Sequence, residues 1–154
     1  MDRDRKSTPL KTLQGLIWRA GYDSGEILGE VFPDVPGALF RWSSSGRRVA
    51  IFSSGSVLGQ QLLFRHSTAG DLTPLLSSYF DTTLGAKGDP ASYTSIASSL
   101  QLPPGQVLFV SDVRRELDAA TTAGMQVRLS VRPGNAVIPA GHGYTTIESL
   151  DQLP

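Results

Sequence analysis

Two short, unbroken apolar runs stand out along the chain, Val49-Ala50-Ile51-Phe52 and Val107-Leu108-Phe109-Val110. Four apolar residues without polar alternation form the pattern of a parallel strand covered on both faces. Each run leads into helical spacing, Val57 to Phe64 after the first and Val113 to Gly124 after the second, with Gly124 as terminator. Upstream, Leu10, Leu13, Leu16, Ile17 and Ala20 recur at helical intervals behind Ser7-Thr8-Pro9. Proline suits a first helical position, so the spacing predicts a helix from about Pro9 to Ala20, interrupted at Gly21 and Gly25. Leu39, Phe40 and Trp42 predict a short helix over Gly37 to Ser45, stopped at Gly46. Tyr79 to Thr83 reads as a short strand, Ala91 to Leu100 as a helix, and Val127 to Val131 as a last strand before the turn cluster Arg132-Pro133-Gly134-Asn135. Strands alternating with helices imply crossover units and a parallel sheet, an α/β fold.

Composition narrows the class. The 154 residues, 40% hydrophobic and 18% charged, are those of one globular domain, and fourteen basic residues balance fourteen acidic ones. No broad positive field attracts nucleic acid or an anionic membrane, so any anion has to be held locally. No apolar run approaches the roughly 20 residues of a membrane span, and the charged start MDRDRKST is unlike a secretory signal; a soluble, cytoplasmic protein is expected, with a nuclear pool possible in a eukaryote. The absence of cysteine excludes disulfides, thiolate catalysis and cysteine-ligated zinc.

Ligands of parallel α/β sheets bind at the carboxyl ends of the strands. The first apolar strand ends in Ser53-Ser54-Gly55-Ser56, the second in Ser111-Asp112. Hydroxyls and amides at a helix N-terminus make an anion site for a phosphoryl group, although serine-glycine turns are common without one. Asp112 and Glu116 place two carboxylates at the base of one helix. They suit an oxygen-ligated Mg²⁺, or else Asp112 caps the helix and Glu116 complements its dipole. Lys87, in Gly85-Ala86-Lys87-Gly88, offers a point charge to a phosphate, or is simply solvated. His66 is expected to contact carbonyls at a helix end, His142 to be an exposed loop residue, and Trp18 and Trp42 to pack in a core or cap.

Serine at one strand end, lysine in a loop and Ser-Asp-x-x-x-Glu at a later strand end is the motif order of haloacid-dehalogenase-like phosphatases. The blocks LKTLQGLIWRAGY, IFSSGSVLGQQLLFRHSTAGDL, YFDTTLGAK, VLFVSDVRRELDAATTAG and VRPGN resemble those of the enolase-phosphatase (acireductone synthase) family. The resemblance implies a Rossmann-like three-layer α/β/α core with a parallel sheet. It also implies a Mg²⁺-dependent phosphoric monoester hydrolase of methionine salvage, converting 2,3-diketo-5-methylthiopentyl 1-phosphate to the acireductone with release of phosphate. Ser53, Ser54 and Lys87 would bind the substrate phosphate, with Lys87 the catalytic cation; Asp112 would ligate the metal, with Gly55 and Glu116 in supporting positions. The full-length protein is expected to be a monomer.

The family's nucleophile is an aspartate in a block close to Asp-x-Glu-Gly-Thr at the end of a first strand, and no such block occurs here. Asp2, Asp4, Asp23 and Asp34 precede the SSGS turn, and none follows an apolar strand pattern. Residues 1–30 are read as the remnant of a helical cap returning to the core, and 31–154 as a core lacking its first strand. In the resembled sheet that strand lies between the two carrying Ser53 and Asp112. Its loss leaves unpaired backbone groups, so the isolated chain is expected to be catalytically inert and poorly stable. The alternative is a non-catalytic module that binds a phosphometabolite or a protein.

Overall fold

The structure, a computed structural model, describes residues 8–154, with side chains from Leu13 onward. The expectations placed on Asp2, Asp4 and the side chain of Leu10 fall outside the described residues. The chain divides into two compact units, Met1–Asp81 and Thr82–Pro154.

In the first unit, helices α1 (Thr8–Asp23) and α2 (Val35–Ser44) precede strand β1 (Ala50–Ser53), helix α3 (Val57–Arg65) and strand β2 (Ser78–Asp81). The strands pair in parallel, Ala50 opposite Ser78 and Ser53 opposite Asp81. Leu39, Leu72 and Leu76 are buried at the centre of the core, with Trp42, Ile51, Phe64 and Tyr79 packed against them. Helix α1 continues through Gly21 to Asp23, past the expected end at Ala20. A Cβ at Gly21 would collide with the side chain of Ile27, so this glycine permits close approach and is not a breaker.

In the second unit, helix α4 (Pro90–Ser99) is followed by strand β3 (Leu108–Ser111), helix α5 (Arg114–Thr122), strand β4 (Gln126–Ser130) and strand β5 (Thr146–Ile147). The sheet order is β3-β4-β5, all parallel. Tyr93, Ile96, Leu117 and Leu129 are buried, and the Tyr93 ring meets Phe109 edge to face at 4.9 Å. Strand β5 was not anticipated; two residues are too few to show a period.

The predicted α/β class with parallel pairing is present, but the double-sided burial of the strands is not. Every residue of β1 is half-buried, and Leu108 of β3 keeps 37% of its surface exposed. Each is the end strand of its sheet, laddered to β2 or to β4, and a strand at a sheet end lacks one lateral neighbour to cover it. Among the described residues no helix is long and apolar enough to cross a membrane.

Candidate active site

The first candidate cluster lies in the first unit, where β1 passes into α3. Ser53 Oγ accepts the Gly55 N–H at 3.1 Å, closing the turn, and Ser54 stands exposed at its tip. Ser56 caps α3, its Oγ accepting the Gly59 N–H at 3.1 Å. The Val57 N–H points to Oδ2 of the buried Asp81 at 3.4 Å. Of the four N–H groups that a helix start leaves without an intrahelical partner, those of Ser56 and Leu58 remain without an acceptor among the described residues. They sit at the positive end of the helix dipole, as an anion requires.

Gln60 fixes the direction of this turn. Its side chain is 6% exposed, and its Nε2 donates to the carbonyls of Gly55 and Phe80, each at 2.9 Å. Because both partners are acceptors, the amide nitrogen must face them. In a trans peptide the carbonyl and the following N–H point in opposite directions, so holding the Gly55 carbonyl inward turns the Ser56 N–H outward. Sequence reasoning missed Gln60, whose polarity within a helical apolar pattern gave no sign of its partners. It missed Asp81 as well, although an acid at a strand's carboxyl end is the signal that Asp112 gave.

The second cluster lies in the second unit. Lys87 Nζ is 2.7 Å from Glu116 Oε1, and Glu116 Oε2 accepts from Ser111 Oγ at 2.8 Å. Both carboxylate oxygens of this 8%-exposed residue are therefore engaged, and Lys87 is an ion-paired residue, not a merely solvated one. The Tyr93 hydroxyl donates to the Lys87 carbonyl at 2.6 Å and ties down the loop. Burial, with the Glu116 charge, pushes the Tyr93 hydroxyl well above its usual range, so it remains a donor. Asp112 does not cap α5. Val113 occupies the cap position without a side-chain cap bond, and Asp112 Oδ2 instead accepts from Asn135 Nδ2 at 2.6 Å. Asn135 Oδ1 accepts the Arg132 N–H at 2.6 Å, so the Arg-Pro-Gly-Asn turn aims an amide at the carboxylate. The sequence marks this segment as a turn and as one of the family-like blocks, but not Asn135 as a partner of Asp112.

Two minor expectations are corrected. His66 faces Asp23 at 3.6 Å and stacks on Tyr22 at 5.6 Å, so it meets a carboxylate and a ring in place of helix-end carbonyls. His142 is half-buried, its Nδ1 accepting the Tyr144 N–H at 3.0 Å. Trp18, 39% exposed, packs over the buried Gly59, where a Cβ would stand 2.9 Å from the indole.

Hard divalent cations take carboxylate oxygens and, for Mg²⁺, retain waters and substrate oxygens, so one protein carboxylate is a usable donor set. Asp112 fits that chemistry, with Asn135 bonded to one of its oxygens. Glu116, with each oxygen already engaged by Lys87 or Ser111, is less available to a cation than Asp112. Among the described residues no three acidic or histidine side chains gather as a cage.

Residues 4–124 match the family model described as haloacid dehalogenase-like hydrolase. The chain is 60% identical over 153 residues to "Enolase-phosphatase E1" of Synechococcus elongatus, covering 99% of this chain and 64% of that protein. It is 50% identical over 151 residues to a "Probable bifunctional methylthioribulose-1-phosphate dehydratase/enolase-phosphatase E1" of Sorghum bicolor, covering 97% of this chain and 29% of that one. Among solved structures, the UTR4 protein of Saccharomyces cerevisiae superposes with a TM-score of 0.87 at 37% identity, over 96% of this chain and 68% of the yeast chain. The chain thus spans somewhat less than two thirds of the Synechococcus relative.

Proposed function

The chain belongs to the haloacid dehalogenase-like hydrolase family and has its Rossmann-type α/β fold, and on that premise we propose that it forms part of an enolase-phosphatase of methionine salvage. The substrate would be 2,3-diketo-5-methylthiopentyl 1-phosphate; the names of the Synechococcus and Sorghum relatives support this choice. The observation that carries the reading is the turn at Ser53–Ser56, where hydroxyls and two open amides meet the start of α3. In this reading Ser53 and Ser54 hold the phosphoryl oxygens, with Gly55 allowing the turn. Lys87, held by Glu116, offsets phosphoryl charge.

Phosphoryl transfer depends mainly on positioning and charge stabilisation, which are what these residue types supply. Asp112, oriented by Asn135, would hold Mg²⁺, and bound Mg²⁺ would supply charge neutralisation at the phosphoryl oxygens. Residues 1–30 are proposed as the return from a cap, and 31–154 as core. None of the 154 residues offers the family's Asp-x-Glu-Gly-Thr nucleophile block, so the chain by itself would bind the phosphorylated substrate without hydrolysing it.

Titration calorimetry of the purified chain with the substrate and Mg²⁺, combined with a phosphate-release assay, tests this. Binding that is weakened by Asp112→Ala, with no phosphate released, is expected. Absence of binding overturns the cradle. Mg²⁺-dependent phosphate release that Asp112→Ala abolishes overturns the assigned inertness.

A further inference from the structure

The loop that carries Lys87 is held from two helices of the second unit. From α4, the buried Ser92 donates to the Ala86 carbonyl at 2.7 Å, and the buried Tyr93 to the Lys87 carbonyl at 2.6 Å. From α5, Glu116 holds Lys87 Nζ, and the residue before it, Arg115, covers Gly88. A Cβ at Gly88 would stand 2.2 Å from Arg115 Nε, 2.8 Å from Cζ and 2.9 Å from Nη2. The guanidinium thus occupies the space that a side chain at Gly88 would need, and glycine admits it against the loop backbone.

Charge makes this neighbour more than packing. Lys87 and Glu116 form an ion pair, so between them they offer a phosphoryl group no net charge. Arg114 faces Asp118 at 3.7 Å, whereas among the described residues Arg115 has no carboxylate within ion-pair distance. Arg115 also stands exposed in the first turn of α5, where a cation opposes the helix dipole, so helix stability gives no reason for it. We infer that Arg115 supplies the uncompensated positive charge of this loop and draws a phosphorylated ligand to Lys87, with Gly88 setting the guanidinium in place. The inference rests on the reading of Lys87 as a phosphoryl-binding cation and adds to it a second cation, which leaves two positive groups against the one carboxylate of Glu116. A phosphoryl group carries between one and two negative charges at neutral pH, so that surplus is felt over the approach of the ligand.

The test is titration calorimetry of the full chain with inorganic phosphate, at about 0.02 M and about 1 M salt, the second of which screens charges beyond direct contact. Arg115→Gln keeps a planar group beside Gly88 without the charge; it should weaken binding about threefold at low salt, the size of one exposed charge interaction, and leave it unchanged at high salt. Arg115→Lys keeps the charge and should bind phosphate as the parent chain does. Lys87→Met should weaken binding about tenfold or more at both salt concentrations, as expected for the loss of a charged hydrogen-bond donor. Equal losses in the two Arg115 variants, or a loss in Arg115→Gln that persists at high salt, would make Arg115 a packing group only and overturn the inference. No loss in Arg115→Gln beside a loss in Lys87→Met overturns it too, while leaving Lys87 in its role. Phosphate bound equally well by Lys87→Met, or not bound by the parent chain, overturns the reading of Lys87, and the inference falls with it.

Discussion

Replacing Glu116 by glutamine removes the negative partner of Lys87 while keeping an oxygen for the Ser111 hydroxyl. The two charged groups are 2.7 Å apart, with 26% of the lysine side chain and 11% of the glutamate side chain exposed. At an effective dielectric constant near 20, Coulomb attraction at that distance is roughly 6 kcal/mol, before the cost of withdrawing both ions from water. Breaking a fully buried pair by removing one member costs about 3–5 kcal/mol. Lys87 retains a quarter of its surface and can rehydrate, so the loss for Glu116→Gln is expected near 2 kcal/mol, below the fully buried range. Combined with Lys87→Met in a double-mutant cycle, the coupling should be about 1–2 kcal/mol. The assay is urea unfolding followed by far-UV circular dichroism, with hydrogen exchange at Leu117 to Ala120 as the local probe. Tryptophan fluorescence is unsuited to this pair, because Trp18 and Trp42 both lie in the other unit. A coupling below about 0.5 kcal/mol, the value of an exposed surface pair, would refute the reasoning that Glu116 is the structural anchor of Lys87.

Gln60→Met keeps the volume but leaves the Gly55 and Phe80 carbonyls without donors. It should cost about 1–3 kcal/mol in urea unfolding and weaken phosphate binding about tenfold by calorimetry, since the Ser56 N–H loses its fixed direction. Asn135→Ala should leave circular dichroism unchanged and weaken Mg²⁺ binding about tenfold in a calorimetric titration, the usual effect of losing a group that orients a metal ligand. Asp71 accepts hydrogen bonds from the Thr73 hydroxyl and amide, which hold its carboxyl below the usual range. A carboxyl whose folded pKa is depressed adds stability above its unfolded pKa and loses it as pH falls through the folded value. The stability gap between the parent chain and Asp71→Asn, small because this carboxylate is exposed, should therefore be present at neutral pH. It should close as the pH falls below about 4 in acid titrations followed by circular dichroism.

What could be read from the sequence follows the range of each interaction. Both strand ends that matter, Ser53-Ser54 and Ser111-Asp112, could be read because an apolar run stopping in small polar residues is a local pattern. The helices were legible for the same reason, down to stops at Gly46 and Gly124, where the backbone takes a positive φ. Gly21 misled because composition cannot separate a glycine that breaks a helix from one that admits Ile27. The apolar runs of β1 and β3 predicted cover on two faces, but cover depends on lateral neighbours, which a strand's own residues do not record. The site's internal bonds were out of reach for a different reason. Lys87 meets Glu116, Asn135 meets Asp112 and Gln60 meets the Phe80 carbonyl across long stretches of chain, and no local spacing announces such pairings.

The central claim is that the start of α3 holds a phosphoryl group through the amides of Ser56 and Leu58. A ¹H–¹⁵N titration of the labelled chain with inorganic phosphate tests it most directly. The account predicts saturable downfield shifts at the Ser56 and Leu58 amides, reduced by Gln60→Met, with the Gly59 amide, already bound to Ser56 Oγ, moving less. Shifts that do not saturate, or that saturate elsewhere while these two amides stay fixed, would contradict it.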